Sequence, residues 1–348
     1  MSQCNEMPMP YAYGGPPLIG ILRATPEDFV VDEHLGIVAD GAGEHIFVRV
    51  EKRGANTDWV ARELARFAGV DARNVSYAGL KDRHAVARQT FSVHLPGKPD
   101  PDWMALQDAE FRILDVARHG RKLQRGALNG NRFRIVLRDI RGDRVAAERI
   151  FASISAGGVP NYFGEQRFGR GGDNVRRAAA MFQGRRVARH ERSLLLSAAR
   201  SRLFNRVLAE RVRRGDWNRP LDGEVWMLAG THSIFGPEPL TPELSDRHAR
   251  GDIDLTGPLW GEGELRSSER VRQLESAVAD ANLQVAAGLA ANGLRQQRRA
   301  LACRPQDFAA RWLTANSLEL DFYLNSGSYA TVVIREILNY DSQSAIAA

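Results

Sequence analysis

The sequence predicts a mixed α and β protein in which one domain is inserted into another. Three observations carry this reading. Strand-like runs with a period of two dominate residues 18 to 138, with one amphipathic helix among them. Gly157-Gly158-Val159-Pro160 then punctuates the chain and opens an Arg-rich, helical stretch. After Pro305 a strand and a helix return, and a segment of that size is too small to bury its own faces. It completes the first domain, which makes the middle region an insertion. The expected organisation is a flexible leader at 1–17, the first part of one domain at 18–156, an inserted domain at 157–305 and the second part of the first domain at 306–348.

Composition sets the class. A chain of 348 residues is long enough for two domains of ordinary size, and 43% hydrophobic with 26% charged residues fits a globular protein. No apolar run approaches the roughly eighteen residues that a membrane helix needs. Met1 to Pro17 is Pro/Gly-rich and lacks the apolar core of a secretory signal, so a cytoplasmic protein with no membrane partner is expected. Cys4 and Cys303 are the two cysteines, too few for a disulfide framework and consistent with a reducing compartment. Asp32, Glu33 and His34 are adjacent, but no Cys or His pair has zinc spacing, so no metal is expected.

The elements follow in order. Gly20-Ile21-Leu22-Arg23 and Pro26 to Val31 read as two short strands around a Pro turn, and Glu44 to Val50 as a third with Ile46, Val48 and Val50 on one face. Thr57 is placed to cap a helix that buries Val60, Leu64 and Phe67 and stops at Gly69. A loop, Ala78 to His84, precedes the strand Arg88 to His94. Asn129-Gly130 signals a turn before the alternating run Asn131 to Leu137, and Asp143 to about Ser155 reads as a helix. In the insertion, Ser193 is expected to cap a long helix ending at Gly215, with Leu196, Ala199, Leu203, Val207 and Leu208 buried. Pro220 to Gly263 reads as loops and short strands, and Ser268 opens a helical region broken near Gly288 or Gly293. In the last part Leu318, Leu320, Phe322 and Leu324 alternate along a strand, and Ser328 caps a final helix.

Charge is segregated along the chain. Residues 161 to 220 carry 15 Arg, no Lys and five acids, whereas residues 221 to 265 carry nine acids against Arg247 and Arg250. Arg suits planar, bidentate phosphate contacts and stacking on bases, so the basic segment points to nucleic acid. Arg167 and Arg170, interleaved with aromatics and Gly in Asn161 to Gly172, are candidate RNA contacts, with a plain turn as the alternative for Gly169 to Gly172.

The inventory narrows the chemistry. No Gly-x-x-x-x-Gly-Lys-Ser/Thr loop is present, Gly169 to Gly172 lacks the leading strand of a dinucleotide fingerprint, and there is no Gly-x-Ser-x-Gly elbow. A carboxylate remains. Asp82 lies between Lys81 and Arg83, just after Gly79 in the loop, a setting that suits an acidic group working beside an anionic substrate. Such an Asp serves as a base or as a nucleophile that forms a covalent sugar ester. Reaching a nucleotide inside folded RNA requires flipping it out, with an aromatic face and a hydrogen bond to the base edge replacing its stack. Phe133 and Asn131 offer that pair.

Six blocks, in order from about residue 20 to residue 339, resemble the tRNA pseudouridine synthase D (TruD) family. They are Pro26 to Val31; Ala78 to Val86; Asn131-x-Phe133; Val159 to Gly164 with Gln166 to Gly169; Leu196 to Arg200; and Gly327 to Thr331. The resemblance implies an α+β fold, a pseudouridine synthase catalytic domain with a mixed, largely antiparallel sheet, interrupted by an inserted α/β TRUD domain. It implies isomerisation of uridine 13 in the D arm of tRNA to pseudouridine, with no cofactor and no metal. Asp82 falls on the family's catalytic Asp, acting as nucleophile at the ribose C1′ or through a glycal route. Asn131 would hold Asp82 or the uracil edge, Phe133 would stack on the base, and Phe29 and Tyr329 would line the same pocket. Members of the family carry Phe where this chain has Tyr329, so its hydroxyl needs a partner if buried. Lys81 and Arg83 would meet phosphate, and a cleft between two basic-lined domains would grip the tRNA. No protein partner is indicated, and a monomer is expected. Two other readings stay open beside this one: a non-catalytic RNA-binding protein, and a glycosylase that releases free base.

Overall fold

The period-two runs of the first 142 residues become seven strands: β1 (Leu18–Leu22), β2 (Phe29–Leu35), β3 (His45–Arg53), β4 (Val75–Tyr77), β5 (Val86–His94), β6 (Phe111–His119) and β7 (Leu128–Gly142). They are seen in a computed structural model that describes residues 9–340, apart from the side chains of Arg125 and Arg170. Helix α1 (Thr57–Phe67) lies between β3 and β4, and α2 (Arg144–Gly157) follows β7. The middle of the chain forms β8 (Val159–Pro160), α3 (Asp173–Phe182), α4 (Arg189–Arg214), β9 (Trp226–Leu228), β10 (Ile234–Phe235), α5 (Pro242–Arg250), β11 (Ile253–Leu259), α6 (Glu269–Asp280), α7 (Leu283–Ala291), β12 (Gln297–Ala300) and β13 (Ala302–Cys303). The chain closes with β14 (Gln306–Thr314), β15 (Ser317–Asn325), α8 (Ala330–Ile337) and β16 (Leu338–Asn339).

Two units result. The sheet unit holds Pro17–Ala147, Pro305–Gly327 and the chain from Leu338; the second unit holds the chain up to Pro16, Glu148–Arg304 and Ser328–Ile337. The sheet unit is one ten-stranded sheet in the order β14-β15-β7-β2-β5-β3-β6, with β1 beside β7 and β16, and β4 beside β5. Among the described strands β2 pairs parallel with β5 and β1 with β16, while every other pair is antiparallel. The fold is therefore α+β with a mixed, largely antiparallel sheet. Long β7 is central, and its register sets Phe133 across from Val31 and Phe322, and Asn131 across from Glu33 and Leu324. On the α1 side, Ile46, Val48, Val50, Phe91 and Val93 meet Val60 and Leu64 in one buried cluster. Each such side chain contributes roughly 1.5–3 kcal/mol by leaving water.

Several local expectations are corrected. Asn129-Gly130 is no turn but part of β7, paired with β2 and β15, and Gly stands at 130 because a Cβ there would strike the Leu324 carbonyl oxygen and the Tyr323 hydroxyl as β15 passes. Thr57 is the first residue of α1 rather than its cap, and its hydroxyl is engaged elsewhere. Gly69, at φ +61°, does follow the helix end.

In the second unit α4 starts at Arg189, before Ser193, since Ala188 already takes the cap position. Leu195, Ala199 and Leu203 from α4 pack with Ala178 of α3, Ala279 of α6, and Ala286 and Leu289 of α7. The break in the later helical stretch comes at Ala281-Asn282, not at Gly288, which sits inside α7 where the Phe182 ring leaves no room for a Cβ. The stretch Pro220 to Gly263 contains a helix, α5, whose signals were local: Thr241 Oγ1 accepts from Leu244 N at 3.2 Å, Pro242 opens the first turn, and Gly251 at φ +80° ends it. Residues 9–16, read as part of a flexible leader, are tied down: Arg335 donates to the Met9 carbonyl at 2.7 Å, Ala12 N donates to Glu336 at 3.0 Å, and the Tyr13 hydroxyl donates to the Gly158 carbonyl at 2.5 Å. Cys4 lies outside the described residues. Among the described residues no helix is long and apolar enough to cross a membrane.

Candidate active site

The loop from Ala78 to Ala85 joins β4 to β5, and its backbone is fixed by side chains from three other places in the sheet unit. Thr57 Oγ1 accepts from Lys81 N at 3.1 Å and donates to Gln89 Oε1 at 3.2 Å, while Gln89 Nε2 donates to the Gly79 carbonyl. Lys52 reaches up from β3, where period-two alternation puts it on the core face after Ile46, Val48 and Val50. It is 0% exposed, and its ammonium donates to the Ala55 carbonyl at 2.7 Å and the Asp82 carbonyl at 2.9 Å. Burial pushes the Lys52 ammonium down to about 8; Asp82 pulls it up and Lys81 lowers it.

Asp82 presents its carboxylate at 25% side-chain exposure. Oδ1 accepts from His84 N at 3.0 Å, and Oδ2 is 2.8 Å from Arg23 Nη2. Both oxygens thus face donors, as an acceptor-only carboxylate requires. Arg23 comes from just after β1 with φ +62°, and its guanidinium lies 4.2 Å from the centroid of the Phe29 ring. Phe29 meets Phe133 edge-on at 6.1 Å, and Phe133 packs on Phe322 at 5.6 Å. A continuous run of contacts therefore links Asp82, Arg23, Phe29 and Phe133.

The structure brings together some of the expected residues and separates others. Phe29 gives a ring face to Arg23, so it works as a platform for the partner of Asp82. Phe133 remains 7% exposed between Phe29 and Phe322. Asn131 projects from β7 with a buried Oδ1 that has no hydrogen-bond partner among the described residues, an acceptor left open. Lys81 does not face phosphate: its side chain is 6% exposed and its ammonium is 2.7 Å from Glu33 Oε1, inside the sheet unit. Glu33 Oε2 in turn accepts from Thr90 N at 3.0 Å. Arg83 is exposed and donates to the Gly54 carbonyl at 3.0 Å.

Tyr329 and Arg167 belong to the second unit. The Tyr329 hydroxyl accepts from Arg167 Nη2 at 2.7 Å, which supplies the partner that a hydroxyl at this position needed, and Arg167 Nη1 donates to Ser197 Oγ at 3.1 Å. Arg299 lies over Phe163 at 4.2 Å and donates to Asn161 Oδ1 at 2.7 Å; burial lowers its guanidinium to about 10. The side chain of Arg170 lies outside the described residues. Not every Arg of the basic segment faces outward, because Arg211 is buried between Asp216 and Glu224, each at 2.8 Å, with burial pushing the Glu224 carboxyl up.

Sequence reasoning missed Arg23, Lys52 and the Thr57–Gln89 pair. A lysine on the buried register of an apolar strand was the available signal for Lys52. Nothing in composition or spacing marked Arg23.

The model of one protein family, described as tRNA pseudouridine synthase D (TruD), matches residues 8–179 and 173–337, nearly the whole chain. The chain belongs to the tRNA pseudouridine synthase D family. Relatives named tRNA pseudouridine synthase D include one from Xanthomonas euvesicatoria pv. vesicatoria, 49% identical over 346 residues, and one from Hydrogenovibrio crunogenus, 45% identical over 329 residues. The first match covers 94% of each chain; the second covers 94% of this chain and 95% of the relative. The crystal structure of a protein described as the putative tRNA pseudouridine synthase D (TruD) of Methanosarcina mazei is similar in fold, with a TM-score of 0.70 at 23% identity, covering 94% of this chain and 95% of that one. The loop bearing Asp82 and the aromatic run from Phe29 to Phe322 both lie in the sheet unit of this chain.

Proposed function

We propose that this protein isomerises uridine to pseudouridine in tRNA, at position 13 of the D arm, with Asp82 as the catalytic carboxylate. The observation that carries the reading is the carboxylate of Asp82 held partly open to solvent by Arg23 and the His84 amide, on a loop whose backbone is pinned by Thr57, Gln89 and Lys52. Preorganised donors keep a nucleophile in one geometry before substrate arrives.

In the nucleophilic route an Asp82 oxygen forms a bond to the ribose C1′ as the C1′–N1 bond breaks and its electrons leave with uracil. The base turns, C5 attacks C1′, and the Asp82–C1′ bond breaks to return the carboxylate. C5 then loses its proton and N1 gains one, so the product has the same atoms as the substrate. The glycal route differs in starting with removal of the 2′ proton by Asp82. Asn131 Oδ1, an open acceptor, suits the imide N–H of uracil, and the uncovered part of the Phe133 ring suits its face. Arg83, Arg167 and Arg170 are assigned to RNA phosphate. Neither route draws on a cofactor.

We also assign a catalytic domain at 18–156 and 306–348 with a TRUD domain inserted at 157–305; the discontinuous sheet unit favours such an insertion, although residues 148–156 and Ser328–Ile337 group with the second unit. We further assign a monomer acting in the cytoplasm. The test is carbodiimide mapping of a tRNA transcript treated with the purified protein, which is expected to find pseudouridine at position 13. Asp82→Asn should lower the rate by at least about a thousandfold while tRNA binding stays within a few fold. Full activity in Asp82→Asn would overturn the mechanism, release of free uracil would mark a glycosylase, and binding without any reaction would mark an RNA-binding protein.

A further inference from the structure

We propose that Leu80 is a wedge that enters the RNA stack as the target nucleotide leaves it. The inference rests on the reading that Asp82 acts on a flipped uridine in tRNA. Leu80 is 70% exposed, an apolar side chain standing in solvent in an otherwise polar loop. A single exposed leucine is ordinary on a protein surface; the way this one is mounted is not. On one side the Gly79 carbonyl is held by the buried Gln89, and on the other Lys81 N is held by Thr57 Oγ1 at 3.1 Å. Beyond that, the Lys81 ammonium is tied to Glu33, the Asp82 carbonyl to Lys52, and the Asp82 carboxylate to Arg23. Each of the two peptide units flanking Leu80 is therefore held by a buried side chain, and three more side chains hold the two residues that follow, while the Leu80 side chain itself is left uncovered. Next to it a Cβ on Gly79 would meet nothing within 4 Å, so the space beside Leu80 is open to a ligand.

Chemistry gives this arrangement a use. Extruding a nucleotide leaves its neighbours without a stacking partner, and proteins that open a base step commonly fill it with an apolar side chain, leucine among them. Asp82 lies two positions after Leu80, a reach of at most about 7 Å along the chain. A side chain at that distance from the carboxylate that meets the ribose is placed to occupy the stack which the base has just vacated. Leu80 has no hydrogen-bonding group, so it reads whether a nucleotide can be vacated and not which base it carries. Lys81 points inward and leaves that edge of the loop to the leucine.

The test separates flipping from chemistry. A tRNA with 2-aminopurine beside the target uridine, mixed with protein in an Asp82→Asn background, reports unstacking without turnover. Adding Leu80→Ala should slow or reduce the fluorescence rise by about 10- to 100-fold, the effect of losing one stacking contact. With Asp82 present, Leu80→Ala should lose a similar factor in pseudouridine formation on folded tRNA, yet less than about threefold on a single-stranded oligonucleotide whose uridine needs no extrusion. Leu80→Met should recover most of the rate. Equal losses on both substrates, or an unchanged fluorescence rise, would overturn the wedge. Failure of the unsubstituted protein to form any pseudouridine would instead sink the functional reading, and the fluorescence arm would still decide the wedge.

Discussion

Arg23 holds Asp82 from a backbone conformation that L-residues seldom adopt: at φ +62° its guanidinium reaches Oδ2 at 2.8 Å and its central carbon sits over Phe29, 4.2 Å from the ring centroid. A left-handed non-glycine residue costs about 1 kcal/mol, and a cation over an aromatic face returns about 0.5–2 kcal/mol. The strain is thus offset by Phe29, and the benefit falls on the geometry of Asp82.

Arg23→Ala should lower kcat by about 10- to 1000-fold with little change in KM, because it frees the carboxylate without touching RNA contacts. Arg23→Lys restores charge but neither the planar fork nor the stack, so its activity should fall between the two. Single-turnover rates of pseudouridine formation measure this. A KM effect with kcat intact would show that Arg23 serves binding instead.

Lys52 gives a pH dependence with a defined sign. In the unfolded chain its ammonium titrates near 10.5, and in the folded protein burial brings it to about 8. Below about pH 8 both states are charged and the full penalty of burying the ammonium is present. Between about 8 and 10.5 the unfolded state keeps a proton that the folded state has released, so Lys52 makes stability rise with pH, on the order of 3 kcal/mol across the window. Urea unfolding at about pH 7 and about pH 10 should show this rise in the native protein, set against whatever the other groups contribute. Lys52→Met should remove it, and should also release the Asp82 carbonyl and lower kcat. An unchanged difference between the two pH values in Lys52→Met would refute the assignment.

What was legible in the sequence follows the range of the signal. Alternation located β3, β5, β7 and β15 because a strand with one buried face writes its apolar residues at every second position, as Ile46, Val48 and Val50 do. The loop around Asp82 could be singled out because its residue types are local. Glu33, Lys52 and Gln89 could not be assigned to it, since each meets the loop only after β2, β3 and β5 have paired, and Arg23 only after β1 has paired with β7; pairing is non-local. Gly130 misled for the same reason: its requirement for no side chain comes from β15, almost two hundred residues later, and not from a turn. The charge census likewise counted Arg211 with the surface, although Asp216 and Glu224 take it inside.

The Lys81–Glu33 pair is buried on both sides, at 6% and 0% side-chain exposure, and it anchors the loop one residue before Asp82. Removing one partner leaves an uncompensated charge, so Glu33→Ala or Lys81→Ala alone should each destabilise by about 3–5 kcal/mol. The double variant Glu33→Met with Lys81→Met should lose much less than the sum of the single losses, which a double-mutant cycle in urea reads directly. Additive losses would mean that the two groups are not coupled in solution. Since Lys81 faces inward, Lys81→Met in the Glu33→Met background should leave the salt slope of tRNA binding unchanged, whereas Arg83→Ala should reduce it by about one counterion.

Tyr329 offers the last test, because its two parts have separable duties. The hydroxyl accepts from Arg167 Nη2 at 2.7 Å, while Arg167 keeps a second hold on Ser197 Oγ at 3.1 Å. Tyr329→Phe removes one acceptor and leaves the ring, so it should cost about 0.5–1.5 kcal/mol of stability and change kcat/KM by less than about threefold. Tyr329→Ala removes the ring that packs 6.3 Å from Phe163, and its loss in kcat/KM should exceed that of Tyr329→Phe by at least about tenfold if the ring serves the substrate. Arg167→Ala separates the alternatives further: an effect equal to Tyr329→Phe would assign Arg167 to the hydroxyl alone, and a larger loss of tRNA affinity with a shallower salt dependence would assign it to phosphate as well. Equal activity in Tyr329→Phe and Tyr329→Ala would remove Tyr329 from the substrate site altogether.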